Sequence, residues 1–181
     1  MTRRLVALLA VVVCGAGAAS VGADEPGAAE RGSELLAPFK RELQQALREG
    51  LAKGPAEAID ACRERAPEIA RARSRDGVRM GRASHRLRNP ANAAPEWVAP
   101  TLAAYLEEDS ERAPRVVAIG EGWSGYVEPI LTQPLCLTCH GEALAPEVAE
   151  RIAALYPEDR AVGFRVGELR GVFWVEYPAA D

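Results

Sequence analysis

The sequence predicts an α+β fold with an antiparallel sheet. Three observations carry this expectation. Patterns of helical period come first, short β-rich runs cluster late, and there is neither a repeating βαβ order nor an internal repeat.

The chain opens with Arg3 and Arg4, the apolar run 5–13, and small residues ending in Val21-Gly22-Ala23. That is the layout of an export signal, with an apolar run too short to span a bilayer. Residues 1–23 are therefore expected to be a signal peptide, which implies a periplasmic location. A lipid anchor at Cys14 is disfavoured, because Val13 stands where that chemistry wants a small residue. Cutting after Ala23 leaves 181 − 23 = 158 residues, and the loss of Arg3 and Arg4 leaves 20 basic against 26 acidic residues, so the net charge moves from -4 to -6. This length suits one domain, expected over residues 33–181. The acidic balance argues against non-specific nucleic-acid binding. No later stretch is long and apolar enough to cross a membrane.

Residues 24–32 are small and polar and read as a disordered linker. Ser33 can cap a first helix running to about Arg48, with Leu35, Leu36, Phe39, Leu43 and Leu47 at helical spacing. Gly50 and Gly54 weaken or end it, and Pro55 suits the first turn of a second helix. There Ile59, Cys62, Ala66 and Ile69 share one face, which should point inward. Residues 78–87 read as extended, with a turn at Asn89-Pro90. A third helix is expected over 96–108, interrupted early by Pro100. Strands are expected over 115–119 and 125–131, with a turn at Gly120–Gly122. Pro146 starts a short helix to Leu155. Residues 161–166 and 170–177 read as two strands joined around Gly167.

Without residues 1–23 the chain holds three cysteines, Cys62, Cys136 and Cys139. An odd number does not pair off in an oxidising compartment. Cys136-Leu137-Thr138-Cys139-His140 is a Cys-x-x-Cys-His sequence. Two thiols at this spacing can add across the two vinyl groups of one haem, and His140 is then held close enough to bind iron. The expected cofactor is one covalent haem c. A thioredoxin-type redox pair competes, but it wants a βαβ setting that is missing here. Structural zinc, with Cys62 and His140 completing four ligands, and a plain disulfide compete as well. Neither zinc nor a disulfide explains a histidine directly after the second cysteine.

For the iron's other axial position the sequence offers His85, Met80 and Cys62. The bland alternatives are a surface histidine among Arg82, Arg86 and Arg88, a core methionine, and a buried small cysteine. The inward face and an otherwise idle thiol favour Cys62.

Four segments carry a resemblance to a known family. They are Ala58–Cys62 with Ala66–Ala70; Gly81–Ser84 with Arg88–Asn92; Pro134–Gly141; and Tyr156-Pro157, Asp159, Ala161, Gly163, Gly167 and Leu169–Gly171. Together they resemble the Tll-type haem-domain family, formerly a domain of unknown function, over most of the chain after the signal. The resemblance implies a PAS-like α+β fold with a c-type haem, with Cys62 as thiolate ligand opposite His140. Members of that family also occur as sensor modules fused to signalling domains. Ala83 stands where a hydroxyl residue is expected in many relatives.

A thiolate ligand stabilises ferric iron and should set a potential below that of a His/Met cytochrome. Its ligation also depends on the protonation of Cys62. We hypothesise that reduction frees Cys62 and opens a site for carbon monoxide or nitric oxide. A ferrous protein that keeps six ligands and ignores carbon monoxide would sink that idea. Arg82 and Arg88 are candidate partners of the haem propionates, against the reading of both as solvated charges. Asn89 and Asn92 should order the turn, and Arg170 should support the last hairpin. Trp97, Trp123, Trp174, Tyr126 and Phe164 read as core and pocket wall. The function expected is a redox or gas sensor, with a soluble electron-transfer cytochrome as the alternative and a redox or signalling protein as partner. A haem enzyme would need an open iron site and distal acid-base groups, so no enzyme is expected.

Overall fold

The computed structural model describes residues 27–107, 112–120 and 122–179. The expected signal peptide, residues 1–23, and residues 24–26 of the expected linker lie outside them.

Helix α1 (Ala28–Lys53) begins earlier than expected, so residues 28–32 are helix and not linker. Tertiary packing explains this extension. Ala28 and Gly32 are buried, Gly32 lies against the Tyr126 ring, and the Tyr177 hydroxyl donates to the Ala28 carbonyl at 2.6 Å. The helix also runs through Gly50, where it meets α2 (Pro55–Arg73). A Cβ on Gly50 would stand 2.7 Å from Ala58 Cα, so only glycine lets the two helices approach this closely. Gly54, at φ 145°, turns the chain into Pro55.

Strand β1 (Arg79–Ala83) leads into a one-turn 3₁₀ helix (Pro90–Asn92) and then α3 (Ala99–Glu107). Asn89 Oδ1 accepts from Ala91 N–H at 3.0 Å and orders that turn as expected. Helix α3 starts three residues later than expected, which puts Pro100 in its first turn where the missing N–H costs nothing. Strands β2 (Arg115–Gly120) and β3 (Trp123–Leu131) form a hairpin. A second 3₁₀ turn (Pro134–Cys136), the short helix α4 (Leu137–His140) and α5 (Pro146–Leu155) follow. Strand β4 (Leu169–Pro178) closes the sheet, whose order is β1-β4-β3-β2 with every pairing antiparallel.

Each sheet face packs on helix. Met80, Tyr126, Val175 and Tyr177 meet Leu36, Phe39 and Ala46 of α1 and Ile69 of α2. Ala83, Val127, Leu169 and Val172 meet Val98, and Leu102 and Tyr105 of α3. A third cluster, Ile59, Val148 and Ile152, joins α2 to α5 beneath the cysteine motif. Alternation along the strands sends odd and even residues to opposite faces. Arg82 therefore shares Met80's face and looks toward the helices.

Residues 161–166 are not a strand, contrary to expectation. Their backbone groups bond to the motif, and the residue before them bonds to the segment after β1. Gly163 N–H donates to Gly141 O at 2.8 Å and Phe164 N–H to His140 O at 2.9 Å, while Arg160 N–H donates to Leu87 O at 2.8 Å. Satisfied there, these groups need no ladder.

Candidate functional site

Between α2, β1, the motif and the start of β4 lies a cavity of about 390 Å³, a size that suits a small molecule or cofactor. Cys62, Cys136, Cys139 and His140 all line it, and all three cysteines are free thiols. The sequence-predicted residues thus come together.

The motif side is built by local geometry. Helix α4 starts directly after Cys136, and the three- and four-residue spacings carry Cys139 and His140 round to the same side. Gln133 N–H donates to Cys136 Sγ at 3.4 Å. Cys139 packs on the cluster between α2 and α5, and burial pushes its thiol pKa up. His140 Nδ1 lies 2.7 Å from the Ala161 carbonyl. A carbonyl only accepts, so Nδ1 carries the proton and Nε2 keeps its lone pair. Burial, with Arg170 and Arg88 nearby, lowers the His140 pKa to about 3, so the imidazole is neutral at ordinary pH. The Phe164 ring stands edge-on to it, 6.2 Å away.

Across the cavity, Cys62 lies on the α2 face defined by buried Ile59, Ala66 and Ile69. It is only half-buried, because at its level that face meets the cavity instead of the core. The other candidate ligands fare differently. His85 is exposed, stacks edge-on against Phe164, and does not line the cavity. Met80 touches the cavity but is 6 % exposed and packed in the α1 cluster. Among the described residues no group of three or more His, Cys, Asp or Glu side chains is gathered as a metal-ion cage, so the four-ligand zinc arrangement is not assembled.

The cavity lining includes Arg82, Arg86, Arg88 and Arg170 and, among the described residues, no aspartate or glutamate. Arg86 is engaged with the carbonyls of Arg160 and Val162 and lies over the Phe164 ring. Arg88 lines the cavity as expected of a carboxylate partner, and it is also engaged by the protein itself. Its guanidinium is occupied by Asp159, through Nε–Oδ1 at 3.2 Å and Nη2–Oδ2 at 3.1 Å, and by the Cys139 carbonyl at 2.6 Å. Arg82 makes no ion pair among the described residues. Burial and the adjacent Arg170 lower its pKa, which still leaves it charged.

Arg170 is the cavity residue that sequence reasoning misassigned. Ile130 pairs with Gly171 and Leu131 with Leu169, so Arg170 is the extra residue of a β-bulge. The bulge aims its side chain into the cavity, where Nε is buried without a hydrogen-bond partner. The available sequence signal was the Arg-Gly pair inside a strand pattern. Trp174, read from the sequence as pocket wall, and Tyr156 complete the lining.

Fold and site together define an α+β protein built around a cavity with three thiols, one neutral imidazole and an excess of arginine. The chain belongs to the Tll0287-like family, whose model matches residues 29–178. Its fold is similar to that in the crystal structure of the cyanobacterial heme-protein Tll0287. The TM-score is 0.60 at 24% identity, covering 88% of this chain and 99% of that one. No curated protein matches the chain in sequence. No helix among the described residues is long and apolar enough to cross a membrane.

Proposed function

We propose that this chain is an exported haem c protein that acts as a redox or gas sensor, with binding and redox roles and no enzymatic step. Cys136 and Cys139 would carry one haem by thioether bonds, and His140 and Cys62 would bind its iron. The observation that carries the reading is the convergence on one cavity of three free thiols and an imidazole whose Nδ1–H is spent on Ala161, leaving Nε2 open.

The donor set fits the group. An arginine-rich lining without acids suits a ligand that brings its own carboxylates, as haem does. Arg82 and Arg88 are the propionate partners carried over from the sequence, and Arg170, whose buried Nε has no partner, is a further one. The likeness to a cyanobacterial heme-protein supports the same cofactor. Export to the periplasm is supported by Arg3, Arg4 and the apolar run after them.

Bound haem would supply one-electron chemistry and an iron able to take diatomic gases. The chain's own residues do the rest. Ala161 orients His140. Ile59, Ile130 and Trp174 give the cavity apolar wall that would shield a bound haem from water. Cys62 is a free thiol on α2 that lines the cavity, and a thiolate able to leave iron is what the sensor reading requires. The electron-carrier reading is favoured by Leu135, beside Cys136 and 52 % exposed, which offers a protein partner an apolar contact next to the attachment site.

The test is to produce the protein with a c-type haem maturation system and digest it under denaturing conditions. The expected result by mass spectrometry is haem retained on the peptide that holds Cys136 and Cys139. An unmodified peptide would defeat the haem reading. Carbon monoxide added to the reduced protein then separates the two roles: a shifted absorption spectrum supports sensing, and an unchanged one supports electron transfer.

A further inference from the structure

We infer that Arg88 and Asp159 are a paired positioning device for His140, acting through the carbonyl of Ala161. The inference rests on the haem reading above and goes beyond it in assigning work to residues that touch neither the thiols nor the imidazole.

The contacts form one closed path. The pair is almost fully buried, with side chains 13% and 8% exposed. Asp159 Oδ1 also accepts from Ala161 N–H at 2.9 Å, which fixes the peptide whose oxygen receives His140 Nδ1–H at 2.7 Å. Arg88 Nη2 reaches that same oxygen at 3.3 Å and the Cys139 carbonyl at 2.6 Å. One guanidinium therefore holds both the segment that carries the ligand and the carbonyl that orients it. A buried ion pair is rarely kept for stability alone, so a role in specifying geometry is consistent with its cost.

Sharing the carbonyl also has an electronic consequence. Each hydrogen bond that Ala161 O accepts from Arg88 weakens its hold on Nδ1–H, and that hold governs how strongly the imidazole donates to iron. Arg88→Gln frees the carbonyl, strengthens donation and removes a positive charge, all of which favour ferric iron. Asp159→Asn releases Arg88 toward the carbonyl and removes a negative charge, which favours ferrous iron.

The experiment uses the full haem-loaded chain and compares the wild type with Arg88→Gln and Asp159→Asn. Haem content is read first. The reduction potential is read next, and then the solvent exchange of the His140 Nδ1 proton by NMR. The expected result is retained haem, a potential lowered in Arg88→Gln and raised in Asp159→Asn, and proton exchange slowed in Arg88→Gln but faster by about tenfold or more in Asp159→Asn. Potentials that move together or stay put, or unchanged exchange, overturn the inference while leaving the haem reading intact. Wild-type protein without covalent haem overturns both. If neither variant folds, the wild-type proton decides alone: slow exchange supports the clamp and rapid exchange refutes it.

Discussion

On the motif side of the cavity, His140 and its neighbours are tied by backbone bonds from Gly163 and Phe164, by the Ala161 carbonyl, and by Arg88. On the α2 side, Cys62 is a free, half-buried thiol carried by one helix. Both sides present a sulfur or nitrogen donor atom to the same space, but one is tied from several directions and the other sits on a single helix. On the proposed haem reading, the difference teaches how a site would keep one ligand fixed while leaving the other free to withdraw. The fixed side does not depend on regular secondary structure, since residues 161–166 support it as irregular chain whose Gly163 and Phe164 N–H groups are directed at the motif.

The most severe way to break this contrast is to remove the fixed side. Cys136→Ser with Cys139→Ser should abolish covalent haem, so that denaturing gels stained for haem show no band at the protein's mass. A band that persists would mean that the motif is not the attachment point.

The next test acts on the support of the other side. Gly50→Leu forces α1 away from α2 at Ala58 and should destabilise the protein by about 1–3 kcal/mol, measured by denaturant unfolding. Haem attachment should survive, because the motif lies on other elements. Unchanged stability would show that the close helix approach matters less than its geometry implies.

Much of this site could be read from the sequence. Cys62, Cys136, Cys139 and His140 announce themselves by residue type, spacing and helical face, and all four reach the cavity. Helix α5 also falls where Pro146 and the apolar spacing put it. What the sequence hides are features decided by long-range contacts. Residues 161–166 have the apolar content of a strand, but their partners are motif carbonyls that no local pattern reveals. Arg88 and Arg170 carry the same charge; Asp159 pairs with one and a bulge turns the other inward, and neither contact shows in the local sequence. The early start of α1 has the same origin, since Ala28 and Gly32 pack on Tyr177 and Tyr126 and carry residues 28–32 into the helix.

Smaller effects sharpen the comparison. Phe164→Leu removes an edge contact to His140 and a face beneath Arg86, and should cost about 1 kcal/mol in thermal unfolding with ligation preserved. His85→Asn should change stability by no more than about 0.5 kcal/mol and leave the absorption spectrum as it was, since His85 is exposed and outside the cavity. A spectral change in that variant would put His85 on iron and remove Cys62 from the account.

The most direct test of the central claim is low-temperature electron paramagnetic resonance of the oxidised, haem-loaded protein alongside its Cys62→Ala variant. The account predicts a low-spin signal with the narrow g-spread of thiolate ligation, lost in the variant while the haem stays covalently attached. A low-spin signal that survives Cys62→Ala unchanged would contradict it, returning the distal position to Met80 or His85 and the protein to the class of conventional electron carriers.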